Sequence, residues 1–239
     1  MNITKATVSG AVIWQNDAFG PLEPRIFDTS WLHQSGMMLA AIQGRQKAYI
    51  LRHAGNDMVL RHFRRGGLMG KINRDLYLKA SVEESRAMKE FVLLSWMRDQ
   101  GLPVPRPVAA RYQPAGLFYR ADIITELIPN SRPMVEWMQD GGLALTLWQK
   151  VGRAIGFMHR LGVHHADLNG RNILIEGQQK IWLIDFDKCE RRAPGDWSGQ
   201  NLARLKRFFD KEKNRQPGLQ WTEEVWLALL EGHKAEFAG

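Results

Sequence analysis

An α+β fold in two lobes is what this chain of 239 residues predicts: a small antiparallel-sheet lobe over residues 1–127 and a mainly helical lobe over 128–239. Three observations carry that expectation. Short apolar runs between residues 37 and 63 are punctuated by turn residues. One long helical stretch follows them from Ser81. Beyond Pro129 the apolar residues recur at helical spacing, interrupted by a single hairpin-like run. At 44% hydrophobic residues there is enough apolar material for a core in each lobe.

In order, "MMLAAI" (37–42), "KAYILRH" (47–53) and "DMVLRHF" (57–63) read as strands, with turns at Gly44 and at Gly55-Asn56. Ser81 and Glu84 form an S-x-x-E capping box that opens a helix. Ala87, Phe91 and Leu94 stripe that helix, and Gly101 stops it. Pro103, Pro105 and Pro107 force an extended segment, and "FYRADIITELIP" (118–129) reads as a buried strand leading to a hinge near Glu126–Pro129. Leu147, Val151, Ile155 and Met158 mark one face of a helix ending near Gly162. "NILIEGQQKIWLID" then reads as two strands around a turn at 176–179, and from Gly199 the chain turns helical again.

Charge and cysteine content narrow the setting. The net charge of +8 favours an anionic partner without choosing one. The single cysteine, Cys189, has no intrachain partner, and a reducing cytoplasm is the expectation. The N-terminal "MNITKATVSGAVIWQND" lacks the apolar core of a secretory signal. No apolar run approaches the ~18 residues of a membrane span. The basic composition permits nucleic-acid binding, yet no recognition motif supports it, so no nucleic-acid partner is expected, and no obligate protein partner either.

The chemistry concentrates in "HHADLNGRNILI" (164–175), a polar loop between a helix and a hairpin whose second strand ends in Asp185-Phe186-Asp187. A loop carboxylate can accept the proton of an attacking hydroxyl. A carboxamide and a strand-end carboxylate can hold Mg²⁺ against the phosphates of ATP. Residues 165–172 fit the kinase catalytic-loop pattern H-x-D-L-x-x-x-N at each defined position, and a D-F-x triplet follows thirteen residues after Asn172. Either motif alone is modest; in this order, with a helix before and a hairpin between, they make the two-lobed fold a protein-kinase-like one. The competing reading is that Asp167 and Asn172 merely cap turns. His165 is expected to hold the loop, and His164 to neighbour a strand.

With "VLRHFRRGGLMGKINRD" (59–75) and "GLPVPRPVAARY" (101–112), this loop resembles the lipopolysaccharide kinase family of the protein-kinase-like superfamily, from about residue 30 onward. The resemblance implies ATP-dependent phosphorylation of a hydroxyl, the 4-hydroxyl by family analogy, of 3-deoxy-D-manno-octulosonic acid (Kdo) on a lipid A precursor. It also implies Asp167 as catalytic base and Asn172 and Asp185 as Mg²⁺ ligands. Glu90 is the acid that orients a phosphate-binding cation, with Glu83 and Glu84 as rivals, and Glu126 and Leu127 receive adenine through backbone groups. The loop around Gln43-Gly44-Arg45 could cover the phosphates but lacks a full G-x-G-x-x-G pattern. Two departures stand out. Arg61 occupies the position where kinases usually carry lysine, so either Arg61 grips the phosphates or Lys47 reaches in. Asn169 replaces a lysine common in protein kinases, which favours a carbohydrate or small-molecule acceptor.

The basic run Arg61, His62, Arg64, Arg65, Lys71, Arg74 and the patch "ARLKRFFDKEKNR" (203–215) could meet acceptor phosphates or an anionic membrane surface, and some of the nine tryptophans could help at that interface. The implied setting is peripheral, on the cytoplasmic side of the inner membrane, beside a lipid-linked Kdo acceptor. Two other readings remain open: a kinase for another sugar, such as core heptose or an aminoglycoside, and a non-catalytic nucleotide-binding scaffold. The intact Asp167, Asn172 and Asp185 set argues against the scaffold.

Overall fold

A computed structural model describes residues 1–42, 48–64, 75–177 and 179–237. The chain divides into two compact units. One comprises Met1–Asp99 and Pro105–Leu127, the other Gln100–Val104 and Ile128–Gly239.

The first unit is built on an antiparallel sheet. Its strands are β1 (Ile3–Val8), β2 (Ala11–Asn16), β3 (Met38–Ile42), β4 (Ala48–His53), β5 (Asn56–His62), β6 (Tyr77–Leu78), β7 (Pro107–Ala115) and β8 (Phe118–Glu126). They are ordered β1-β2-β7-β8-β5-β4-β3, with β6 also on β8. Short helix α1 (Thr29–Gln34) is capped by Asp28, whose carboxylate accepts from Ser30 N (2.9 Å) and Trp31 N (3.2 Å). Ile13, Phe27, Leu32, Leu51, Met58, Leu60 and Ile124 form the core on this sheet.

Strands β3, β4 and β5 fall where the apolar runs place them, with one correction. The tight turn is Ala54-Gly55, both at positive φ (+49° and +78°), and Asn56 already begins β5. Two left-handed central residues suit the twist of a two-residue hairpin. The pair β1–β2 is not anticipated by the sequence reading.

The helix expected from Ser81 starts later, as α2 (Arg86–Asp99). Glu84 N does donate to Ser81 Oγ (3.3 Å), so half of the capping box forms, but it closes a turn instead of a helix. The first helical bond runs from Lys89 N to Ser85 O (3.0 Å). Ala87, Phe91 and Leu94 are buried as expected, and so is Glu90.

The second unit holds α3 (Met134–Gln139), α4 (Leu145–Arg160), α5 (Trp197–Arg215) and α6 (Glu223–Phe237). Beside them is a small sheet of β9 (Ser131–Pro133), β11 (Ile173–Glu176) and β12 (Lys180–Leu183), ordered β12-β11-β9. A two-strand pair joins β10 (Val163–His164) to β13 (Glu190–Arg191). The α4 stripe of Leu147, Val151, Ile155 and Met158 is buried. Helices α4 and α6 meet backbone to backbone: a Cβ on Gly152 would lie 1.9 Å from Leu229 O, and one on Gly232 2.0 Å from Gln149 O. Of the nine tryptophans, Trp14, Trp148, Trp197, Trp221 and Trp226 are buried and the other four half-buried.

Candidate active site

The loop between β10 and β11 owes its shape to its own polar residues. Asn172 N donates to Asn169 O (3.0 Å), and Asn169 Nδ2 to Asp167 O (2.9 Å). Arg171 N donates to Asn169 Oδ1 (2.9 Å). Asn172 Nδ2 also donates to Asp167 O (2.9 Å), which leaves Oδ1 as the amide atom Asn172 can offer a cation. The hairpin register continues into the loop, since Ile184 N donates to Asn172 O (3.0 Å). Asn172 is therefore a backbone neighbour of the strand end that carries Asp185.

Asp185 has φ +65°, a left-handed conformation that Asp and Asn tolerate better than most side chains. Phe186 is fully buried, with its ring 4.8 Å from that of His165. A carboxylate and a carboxamide oxygen at this edge are the donor types a hard cation such as Mg²⁺ takes.

His165 is a scaffold residue by geometry. It is fully buried; its Nε2 lies 3.1 Å from Ile184 O and its Nδ1 accepts from Asp167 N (3.2 Å). Those two bonds require the neutral imidazole with its proton on Nε2. Burial lowers the histidine's proton affinity, which favours the same state. His164 pairs in β10, as expected; burial, then Arg192, lower its pKa, with Arg204 contributing in the same direction.

Helix α5 clamps the loop from outside. Asn201 accepts from His165 N at Oδ1 and donates to His165 O through Nδ2, both at 3.1 Å. One turn on, Arg204 forms an ion pair with the Asp167 carboxylate. A further turn on, Phe208 lies under the Arg171 guanidinium (5.1 Å), and Arg171 also reaches Glu212 (3.2 Å). Gly170 is required by this approach, because a Cβ there would fall 2.7 Å from Phe209 and 2.8 Å from Phe208. Asp167 and Arg204 are half exposed, at 50% and 48%. An exposed ion pair is worth only ~0–1 kcal/mol, so this one opens readily.

In the first unit Arg61 on β5 pairs with Glu90 on α2. Of the rival acids, Glu84 is exposed and pairs with Lys89, and Glu83 lies beside Val82 and β1–β2 residues. The adenine expectation for Glu126 and Leu127 narrows: Glu126 N donates to Arg106 O (2.9 Å) and Leu127 N to Asp57 O (3.0 Å). Only carbonyls remain as backbone groups those residues can present. Gly44, its neighbours Gln43 and Arg45, and Lys47 lie outside the described residues, as do Arg65, Lys71 and Arg74.

A family model described as "Lipopolysaccharide kinase (Kdo/WaaP) family" matches residues 29–233. The chain belongs to the lipopolysaccharide kinase (Kdo/WaaP) family. Among its relatives, a 3-deoxy-D-manno-octulosonic acid kinase of Vibrio cholerae serotype O1 is 40% identical over 94% of this chain and 95% of that protein. A kinase of the same name from Actinobacillus succinogenes is 41% identical over 89% and 91% of the respective chains. Another from Haemophilus influenzae strain 86-028NP is 41% identical over 85% and 87%. The expected family is thus the observed one, and the fold is kinase-like.

Within this lipopolysaccharide kinase family chain, sequence reading missed Asn201 and Arg204, which lie 36 and 37 positions from their partners. It also missed Asp122, a buried carboxylate held by His62 and by Arg111 Nε (2.7 Å). A buried charge persists only when paired, and these cross-strand neighbours supply the pairing. Several cations of the basic patch on α5 have partners within the chain. Arg204 pairs with Asp167, Lys206 with Glu223 (3.6 Å) and Arg215 with Glu212 (3.0 Å), and Lys213 donates to Leu219 O (2.5 Å).

Proposed function

We propose that this chain transfers the γ-phosphoryl group of ATP to a hydroxyl of Kdo, the 4-hydroxyl by family analogy, on a lipid A precursor. The observation that supports this most is the tie between Asp167, Asn172 and the Asp185 strand end through the Asn172 bonds. It is read together with relatives named 3-deoxy-D-manno-octulosonic acid kinase that align over nearly the whole chain.

In this reading the acceptor hydroxyl approaches Asp167, whose carboxylate takes its proton as the oxygen attacks phosphorus and ADP departs. The Asn172 Oδ1 and the Asp185 carboxylate would hold Mg²⁺, which when bound offsets phosphate charge. Arg61, steadied by Glu90, grips phosphate oxygens. Glu126 and Leu127 offer carbonyls to the adenine amine. The unit of Met1–Asp99 and Pro105–Leu127 carries the nucleotide-binding residues, and that of Gln100–Val104 and Ile128–Gly239 the catalytic loop; residues 100–104, expected in the first lobe, belong to the second.

The setting in this reading is peripheral, at the cytoplasmic face of the inner membrane, because the acceptor is lipid-anchored. No described helix is long and apolar enough to cross a membrane. The net charge of +8 suits an anionic leaflet.

The test is phosphate transfer from ATP with Mg²⁺ to lipid A precursors in vesicles, with and without Kdo. Phosphate should appear on the lipid only when Kdo is present. Transfer to heptose or an aminoglycoside, with the Kdo lipid inert, would overturn the assignment. Vesicle binding should require anionic lipid and weaken as salt rises.

A further inference from the structure

The ion pair between Arg204 and Asp167 has a chemical consequence if the acceptor is an acid, and here the inference rests on the proposed function. An acid that presents its hydroxyl to Asp167 must bring the oxygen within hydrogen-bond reach, roughly 2.6–3.2 Å. The acceptor's own carboxylate then arrives within about one sugar ring of the Asp167 carboxylate. Two like charges at that range oppose binding unless a cation stands beside them.

Arg204 is that cation. Its helix is fixed to the loop by Asn201 on the N-terminal side and Phe208 on the C-terminal side, so its Cα does not wander. Its tip is half exposed and touches Asp167 through one nitrogen, Nη2, on Oδ1. A guanidinium carries five donors in a planar fork, and a second carboxylate can take a two-donor edge of it. Lysine, with one ammonium centre, offers no such planar two-donor edge. Of the other cations near the loop, Arg171 is held by Glu212 and Phe208, and Arg192 by Glu190 (2.8 Å).

We propose that Arg204 reads the carboxylate of the acceptor and holds Asp167 in reserve until that carboxylate draws it away. With no acidic acceptor bound, Arg204 covers Oδ1. When the acid binds, the guanidinium swings to the incoming carboxylate and Oδ1 is released to the hydroxyl. The hydroxyl oxygen then forms its bond to phosphorus, the bond to the ADP oxygen breaks, and the proton passes to Asp167; Arg204 stays protonated throughout. The same residue thereby selects acids over neutral sugars and keeps the base from activating water.

The test is a four-way comparison. Wild type and Arg204→Ala are each assayed with the Kdo-bearing lipid and with the same lipid carrying its Kdo carboxylate as a methyl ester. The single changes should each raise the acceptor KM by about 10- to 100-fold, the scale of a lost charge-assisted hydrogen bond. Together they should cost little more than either alone, since both remove one interaction. Arg204→Lys should recover part of the loss with the acid and none with the ester.

Thermal melting of both variants should match wild type, because the side chain is half exposed. Should Arg204→Ala melt early, the comparison carries over to Arg204→Lys with the same two acceptors. Equal loss with acid and ester would make Arg204 only a support of the loop and overturn the proposal. An unchanged KM for the acid in Arg204→Ala would overturn it too. Wild type inert toward the Kdo lipid is a separate outcome, which removes the proposed function itself.

Discussion

Arg61 and Glu90, 29 positions apart in the chain, form an ion pair in which the arginine is 15% exposed and the carboxylate 3%. A strand and a helix of the same unit thus fix a permanent cation against a buried acid. If Arg61 grips nucleotide phosphates, Arg61→Ala should lower transfer by about 100-fold or more. Arg61→Lys should keep partial activity, because a point charge survives without the fork. Lys47→Ala should keep most. Steady-state kinetics on the three variants checks this; a severe loss at Lys47 with a tolerant Arg61 would reverse the assignment.

Asp167→Ala should lower turnover by roughly 10²–10⁴-fold, the range for a positioned base. The carboxylate is half exposed and its ion pair is a surface one, so the melting temperature should hardly move. A folded variant keeping more than about a tenth of wild-type turnover counts against the base.

Asp185 calls for a particular substitution. At φ +65° alanine would add backbone strain to the loss of charge, whereas asparagine tolerates the left-handed region. Asp185→Asn should therefore fold normally yet bind ATP with Mg²⁺ more weakly than wild type. Asn172→Ala should lose less, having removed a neutral oxygen. Calorimetry that finds both variants equal to wild type sinks the metal assignment.

Three buried polar side chains run in a chain to the His165 backbone in the second unit. His233 Nε2 faces His159 Nδ1 (2.9 Å), His159 Nε2 faces Asn201 Oδ1 (3.4 Å), and Asn201 holds the His165 backbone. Burial, then the neighbouring His233, push His159 down to about 3. A histidine depressed in the fold adds stability that is fully present above its unfolded pKa of ~6.5 and is lost as pH falls toward about 3. Between pH 7 and pH 5 the loss from His159 should be about 2 kcal/mol. Denaturant midpoints should show a shallower pH slope over that window in His159→Gln than in wild type. Equal slopes would remove His159 as the cause.

The glycine contacts between α4 and α6 predict the largest effect on stability. Gly152→Ala sets a methyl 1.9 Å from Leu229 O, a backbone atom that cannot rotate away. Overpacking of this kind costs about 3 kcal/mol or more. Gly199→Ala, at a site with open space, is the control and should melt near wild type. A Gly152→Ala protein as stable as wild type would mean the two helices can part without cost.

The legible portion of the site was the portion carried by consecutive residues. His165, Asp167, Asn172 and the Asp185 triplet share one loop and one hairpin, so spacing alone brings them together. Arg204 was legible only as one cation of the 203–215 patch, and Asn201 not at all, because α5 reads as one more basic helix. Which of its charges face the loop depends on packing that no local window contains. Glu90 could be singled out only by its helix, and burial distinguishes it from Glu84. The late start of α2 has a local cause: Ser81 satisfied its own turn first. Strand β1 escaped notice because four of its six residues are exposed, leaving no apolar alternation to read.

The two-way grip of Asn201 on His165 also bears on the order in which the protein is made. The whole signature from His165 to Asp187 precedes α5 in the chain, so it leaves the ribosome before the helix that holds it. A nascent chain released as far as Asp187 has every residue of the motif but nothing to satisfy the backbone of His165 from the far side. The loop is locked only when some fifteen further residues have emerged and the first turns of α5 can fold back. Locking of this loop therefore waits on α5, and a product shortened before Asn201 carries the loop residues without the helix that holds them.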